Sequence, residues 1–170
     1  MKEEVWKDIP GYEGRYQAST MGSVRSLDRV QKTKKGHRHY KGKVLRPGGF
    51  CKSGHVSVVL GHGKSGSPVH QLVALTFLGP CPKGKEVLHG DGNPKNNKLD
   101  NLRYGTRSEN IIDVSKQGGV WRKLSLADVI EIKHRLALGE PCKVIAKDFS
   151  VTLGAISKIK MGVNFKWVEI

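Results

Sequence analysis

The stretch from Glu86 to Asn110 constrains the fold more than any other part of this chain. Val87-Leu88 is a short apolar run that delivers His89 to the end of a strand. Gly90-Asp91-Gly92-Asn93-Pro94 and Asn96-Asn97 follow, residues that turn a backbone rather than extend it. The chain must reverse there. Leu102-Arg103-Tyr104 can return as a second strand, and Thr106 stands where it can cap a helix opened by Arg107-Ser108-Glu109-Asn110. Strand, loop, strand, helix is the expected order, with Asn110 facing His89 across it.

Charge narrows what such a unit would meet. The 170 residues carry 30 Lys plus Arg against 15 Asp plus Glu, a net charge of +15, which favours a polyanionic partner. No acidic residue stands between Asp28 and Glu86, and basic ones crowd at Arg25, Arg29, Lys32, Lys34, Lys35, Arg38, Lys41, Lys43 and Arg46, interleaved with His37, His39 and Tyr40. A solvated basic loop would explain a short run of this kind. One this long is neutralised best by a phosphate backbone, with release of counterions. These residues are expected to touch nucleic acid without reading its sequence.

Other classes drop out. No apolar run approaches the roughly 20 residues needed to span a bilayer, and the start, Met1-Lys2-Glu3-Glu4-Val5-Trp6, lacks the apolar core of a secretory signal. An intracellular, cytoplasmic location with no membrane partner and no small-molecule cofactor is expected. Cys51, Cys81 and Cys142 form no CxxC pair, and Cys51, His55, His62 and His70 match no usual zinc spacing.

The pattern suggests an α+β protein. Residues 1–62 read as a small antiparallel β module, with strands at Tyr16–Ser19, Ser23–Leu27, Val44–Arg46 and His55–Leu60. Residues 63–116 form the strand–loop–strand–helix core, 117–123 a linker with Gln117-Gly118-Gly119 as hinge, and 124–170 a helical domain. There Ser125 and Asp128 make a capping pair for a helix ending at Gly139, with Leu126, Val129, Ile130, the Lys133 stem and Leu136 on one face. A second helix after Pro141 would bury Val144, Ile145 and Phe149. Thr152 can cap a third, Leu153 to Met161, stopped by Gly162. The pattern resembles a helix-turn-helix domain with Ala146, Val151, Ile156 and Ile159 inward. Leu153, Gly154, Ser157, Lys158 and Lys160 would then face a DNA groove, the lysines touching phosphates. A small bundle that only stabilises the chain would show the same pattern.

The central residues suit phosphodiester hydrolysis. A neutral imidazole at His89 can take a proton from water. A single Mg²⁺ or Mn²⁺ can act as Lewis acid at the phosphate, and it needs only one or two protein oxygens, such as the Asn110 amide oxygen. Taken alone, a histidine before glycine could equally cap a turn. Residues 86–110, however, resemble the HNH (ββα-metal) nucleases in the variant with Asn in place of the final His. Val69 to Phe77 resembles the helix preceding the motif in phage HNH homing endonucleases. Trp6-Lys7-Asp8-Ile9-Pro10-Gly11-Tyr12-Glu13-Gly14-Arg15-Tyr16-Gln17 with Gly22-Ser23-Val24 resembles their NUMOD-type module.

That resemblance implies a site-specific DNA endonuclease that nicks one strand of double-stranded DNA as a monomer, with a phage-encoded origin in a bacterial host. It makes His89 the general base and Asn110 the metal ligand. Asn101 would close the motif loop, with Asp91 and Asn93 structural, and His70 reads as a packed, hydrogen-bonded histidine that stabilises the motif. One position departs. Where these enzymes place Asp or Asn as a second metal ligand, immediately before the base, this chain has Leu88. The alternative is therefore a sequence-specific DNA-binding protein of HNH descent that has lost efficient cleavage. An RNA-binding splicing helper would suit the charge but not the C-terminal helices.

Overall fold

The computed structural model describes residues 3–33, 36–48, 54–61, 65–117 and 123–170, and the chain forms two compact units, Met1–Asn110 and Ile111–Ile170. Lys34, Lys35, Cys51, His62 and the Gly118-Gly119 hinge lie outside the described residues.

In the first unit, β1 (Trp6–Asp8), β2 (Tyr16–Ser19) and β3 (Val24–Ser26) form an antiparallel meander. A hairpin of β4 (Arg29–Thr33) and β5 (Gly36–Tyr40) follows before β6 (Lys43–Val44) returns to pair with β3. Much of the basic stretch is thus a two-stranded arm. Its strands carry Val30, Gln31, Lys32, His37, Arg38 and His39 exposed, so no apolar core lies beneath them.

Next come β7 (Ser57–Val58), β8 (Ser67–Pro68) and α1 (Val69–Leu78). Helix α1 starts where Pro68, lacking an N–H, ends the strand, and it stops at Gly79, whose φ of 86° few other residues tolerate. Within the expected strand 55–60, Ser57–Val58 is laddered opposite Ser67–Pro68, and Val56 makes a single bridge.

The division expected after residue 62 falls inside this unit. Ile9, Ala18 and Val24 from the N-terminal sheet share one core with Val58, Leu60, Leu72, Val73 and Leu102. Fully burying each such side chain contributes roughly 1.5–3 kcal/mol, and both segments contribute to the one core. The unit is completed by β9 (Glu86–His89), a single 3-10 turn at Leu99–Asn101, β10 (Leu102–Gly105) and the start of α2 (Arg107–Lys116).

The second unit holds α3 (Leu126–Ala137), α4 (Cys142–Asp148) and α5 (Leu153–Lys160) around Ile132, Ile145, Ala146, Ile156 and Ile159. The Ser125–Asp128 capping box forms as expected, and the Thr152 hydroxyl accepts from the Ala155 N–H at 3.2 Å. Two assignments of face change. Ile130 is 36% exposed and Val144 46% exposed, whereas Ile132 is buried, and Ala146 is buried as expected. On α3 the buried positions are Val129 and Ile132, with Leu136 packed beside them, a stripe that Ile130 does not join. Arg135 ties the helix ends together through Glu140 and Asp148 (2.7 and 2.6 Å). Among the described residues no helix is long and apolar enough to cross a membrane.

Candidate active site

The site is built on the β9–β10 hairpin, whose register pairs His89 with Leu102 and Glu86 with Gly105. Side chains alternate along a strand. Val87 packs against the core shared with α1, so His89 takes that face, while Glu86 and Leu88 take the other. Leu88 is 2% exposed, and a side chain at Gly105 would meet its Cδ1 at 2.5 Å. The leucine at the position of departure is therefore a packing residue that needs the neighbouring glycine.

After Gly105 the chain enters α2 through a reciprocal cap. The Thr106 Oγ1 accepts from the Glu109 N–H (3.2 Å), and the Glu109 carboxylate accepts from the Thr106 N–H. One turn on, Asn110 Nδ2 donates to Glu86 Oε1 at 3.0 Å, and Arg107 Nη1 lies 3.7 Å from the same oxygen. Asn110 is thus seated beside Glu86. The antiparallel register is the reason. It starts the helix at the Glu86 end of β9.

The loop between the strands is closed by its own side chains. Asn101 Oδ1 accepts from the Asp91 N–H (3.0 Å), while its Nδ2 donates to Asp91 Oδ1 (2.9 Å) and the Asn96 carbonyl (2.8 Å). Asp91 also accepts from the Asn93 N–H (2.9 Å) and Asn96 Nδ2 (2.7 Å), and Asn93 Oδ1 accepts from the Lys95 N–H (3.1 Å). These donors hold the Asp91 carboxyl below its usual range, although burial opposes them. Asn101→Ala would remove three bonds from one turn. The expected cost is about 2 kcal/mol or more, at 0.5–1.5 each, read as a lower midpoint in urea unfolding.

His89 sits in a setting that no sequence pattern announced. Its Nε2 lies 3.3 Å from Asn97 Oδ1, and Asn97 Nδ2 is committed to the Lys95 carbonyl at 3.2 Å. The network therefore assigns the proton to Nε2 and leaves the lone pair on Nδ1. The rings of His55 and His70 stand 5.4 and 5.1 Å from that of His89, and 4.5 Å from each other. Burial lowers the His89 pKa, and His55 adds to this against the opposing pull of Asn97 and Asp91. His70 is pushed to about 4 by burial first, then by His55 and His89. It is 6% exposed, and its Nδ1 has no hydrogen-bond partner among the described residues, so it is packed as expected but not hydrogen-bonded at that atom.

Asn97, His55 and Glu86 were not among the expected site residues. Asn97 is a buried polar residue, held from behind by the N-terminal module: a Cβ on Gly22 (φ 85°) would stand 2.7 Å from the Asn97 carbonyl carbon. The Leu99 N–H also donates to the Thr20 carbonyl at 2.9 Å. The β module therefore forms a wall of the site. Among the basic residues, Arg25 is bound to Gln17 Oε1 (2.9 and 2.6 Å) and lies over Trp6, whereas Lys32, Arg38, Lys41, Lys43 and Arg46 are exposed. Arg29 and Arg38 flank the Tyr40 ring at 4.6 and 5.2 Å. On α5, Leu153, Gly154, Lys158 and Lys160 are exposed and Ser157 is half-buried.

A histidine-ended hairpin closed by asparagines and followed by a capped helix matches the HNH endonuclease family model, over residues 67–111. The NUMOD4 motif matches over residues 4–60. These two motifs and the α+β fold of small antiparallel sheets and helices make the chain similar to the HNH endonucleases. Among its homologues is DNA endonuclease I-HmuI of Bacillus phage SP01, 36% identical over 115 residues, which are 66% of this chain and 59% of that protein. An uncharacterized HNH endonuclease, L247, of Acanthamoeba polyphaga mimivirus is 31% identical over 65% of this chain and 26% of its own length. The chain thus spans less than two thirds of the length of each of these relatives. A solved structure described as DNA binding and cleavage by the HNH homing endonuclease I-HmuI superposes with a TM-score of 0.53. It is 28% identical and covers 93% of this chain and 90% of that one.

Proposed function

We propose that this protein is a site-specific DNA endonuclease of the HNH homing type that hydrolyses a phosphodiester bond and nicks one strand as a monomer. The observation that carries the reading is the His89 setting: an imidazole kept neutral by burial, with Asn97 holding its Nε2–H and Nδ1 left as base. In this reading Nδ1 takes the proton of the attacking water, and the closed Asp91–Asn101 loop keeps the ring from turning away. Hydrolysis by one base at one hairpin attacks one strand per binding event.

The residues present suit a hard divalent cation. Asn110 offers an amide oxygen once its side chain is turned, and a carboxylate stands beside it. A bound Mg²⁺ or Mn²⁺ would supply Lewis-acid stabilisation at the scissile phosphate and leaving oxygen. The exposed Lys32, Arg38, Lys41, Lys43 and Arg46 would hold DNA phosphates. In the second unit, α4 and α5 would act as a helix-turn-helix, with Leu153, Gly154, Ser157, Lys158 and Lys160 toward the DNA.

The test uses supercoiled plasmid bearing the footprinted target, incubated with the full chain and Mg²⁺ or with a chelator. Open-circular product that requires the metal is expected. Footprinting at the target without any product, in either Mg²⁺ or Mn²⁺, would instead establish the DNA-binding reading, which the aliphatic Leu88 favours.

A further inference from the structure

We infer that Glu86 is the second protein ligand of the divalent cation, taking on the role for which the buried Leu88 side chain has no donor atom. The inference rests on the nuclease reading and adds to it a residue that neither motif nor spacing singles out.

Three features of the hairpin carry it. An isobutyl group cannot ligate a cation, and Leu88 is committed to packing over Gly105. Strand alternation places Glu86, two residues earlier, on the same face as Leu88. The Glu86 side chain is 40% exposed, and its Oε1 lies 3.0 Å from Asn110 Nδ2, so a carboxylate and a carboxamide already converge across the strand–helix junction.

The separation itself is telling. Two neighbouring oxygens on an octahedral Mg²⁺, each at about 2.1 Å, stand about 3.0 Å apart. Turning the Asn110 amide by half a rotation exchanges its nitrogen for its oxygen at nearly the same point. The Asn110–Glu86 bond then becomes two cis ligands with little movement of either side chain. Arg107, 3.7 Å from the same oxygen and itself 67% exposed, holds the place of the positive charge. A cation arriving there would displace it, and its guanidinium would be left to pair with a phosphate.

Two protein oxygens make a weak site, since Mg²⁺ gives up its water reluctantly and the remaining positions stay hydrated. Binding to the free protein is therefore expected in the millimolar range, and tighter when DNA oxygens join.

The test follows Mn²⁺ by its paramagnetic broadening of the ¹⁵N-labelled full chain, a readout that needs no cleavage. In the wild type, titration should broaden the Asn110 side-chain amide and the Glu86 backbone amide first. Glu86→Gln keeps the shape and removes the charge. It should raise the Mn²⁺ concentration for half-broadening at Asn110 at least tenfold, and raise the Mg²⁺ concentration for half-maximal nicking similarly. Half-broadening at Asn110 within twofold of wild type in Glu86→Gln would overturn the inference, as would an unchanged Mg²⁺ requirement. Broadening at Glu86 in a protein that never nicks would leave the ligand assignment standing and remove the nuclease reading. Nicking with an unchanged metal requirement in the variant would do the reverse.

Discussion

His89→Ala should lower the single-turnover nicking rate by at least about 10²-fold while leaving DNA affinity nearly unchanged. General-base catalysis contributes roughly 10²–10⁴ in rate, and 10² corresponds to about 3 kcal/mol of barrier. In the proposed reading the ring supplies that base, from a position held at Nε2 by Asn97 and flanked by His55 and His70. Alanine removes the proton acceptor without unpairing the strand, because Leu102 still faces position 89. Mobility-shift titration separates binding from chemistry. The wild-type rate should also hold at pH values below the ordinary imidazole range, since the His89 pKa is lowered, mainly by burial. A variant retaining more than a tenth of the wild-type rate would remove His89 as the base.

The first unit should lose stability on mild acidification, and His70 should account for about 3 kcal/mol of that loss. Its pKa is about 4 in the fold, against 6.5 when unfolded, with burial the leading cause and His55 and His89 adding to it. The unfolded chain therefore binds the proton more readily, and acid favours unfolding. The contribution is complete above pH 6.5. It declines as pH falls through the unfolded value and is gone near the folded value of about 4. The magnitude follows from about 1.36 kcal/mol for each tenfold difference in proton affinity between the folded and unfolded chain. Chemical denaturation at pH 7.5, 5.5 and 4 would measure it. In His70→Leu, which keeps an apolar side chain beside Leu72 and Val73, the same pH change should cost about 3 kcal/mol less. Equal losses in both proteins would show that His70 protonates as readily in the fold as outside it.

Much of the hairpin and its helix was legible because local rules act there without help. Turn-forming residues between Leu88 and Leu102 force a reversal, and Thr106 and Ser125 cap helices through bonds spanning three residues. The capping boxes, the α1 helix and the three C-terminal helices all depend on neighbours in sequence. The faces of those helices were harder to read. Ile130 and Val144 are apolar and belong to the expected buried faces, yet are exposed, because a partner helix rather than hydropathy decides which apolar residues are covered.

The core shared across residue 62 and the composition of the site were not legible for a related reason. Ile9 and Leu102 share a core although 93 positions apart, and Gly22 leaves the space in which Asn97 rests. Such contacts leave no periodicity in either segment. His55 reads as a residue of a β strand until the fold sets it beside His70 and His89. The seat of Asn110 followed the same logic: its spacing from His89 is local, but which strand end it meets is fixed by the register of the pair.

By itself the sequence determined the helices and turns, the charge that calls for a polyanion, and the histidine and asparagines of the central loop, because bonds between near neighbours dictate them. Only the tertiary structure decided that three histidines crowd one another, that Asn97 governs the tautomer of His89, and that Asn110 meets Glu86. Those outcomes depend on long-range packing and strand register, which bring together side chains that no local interaction relates.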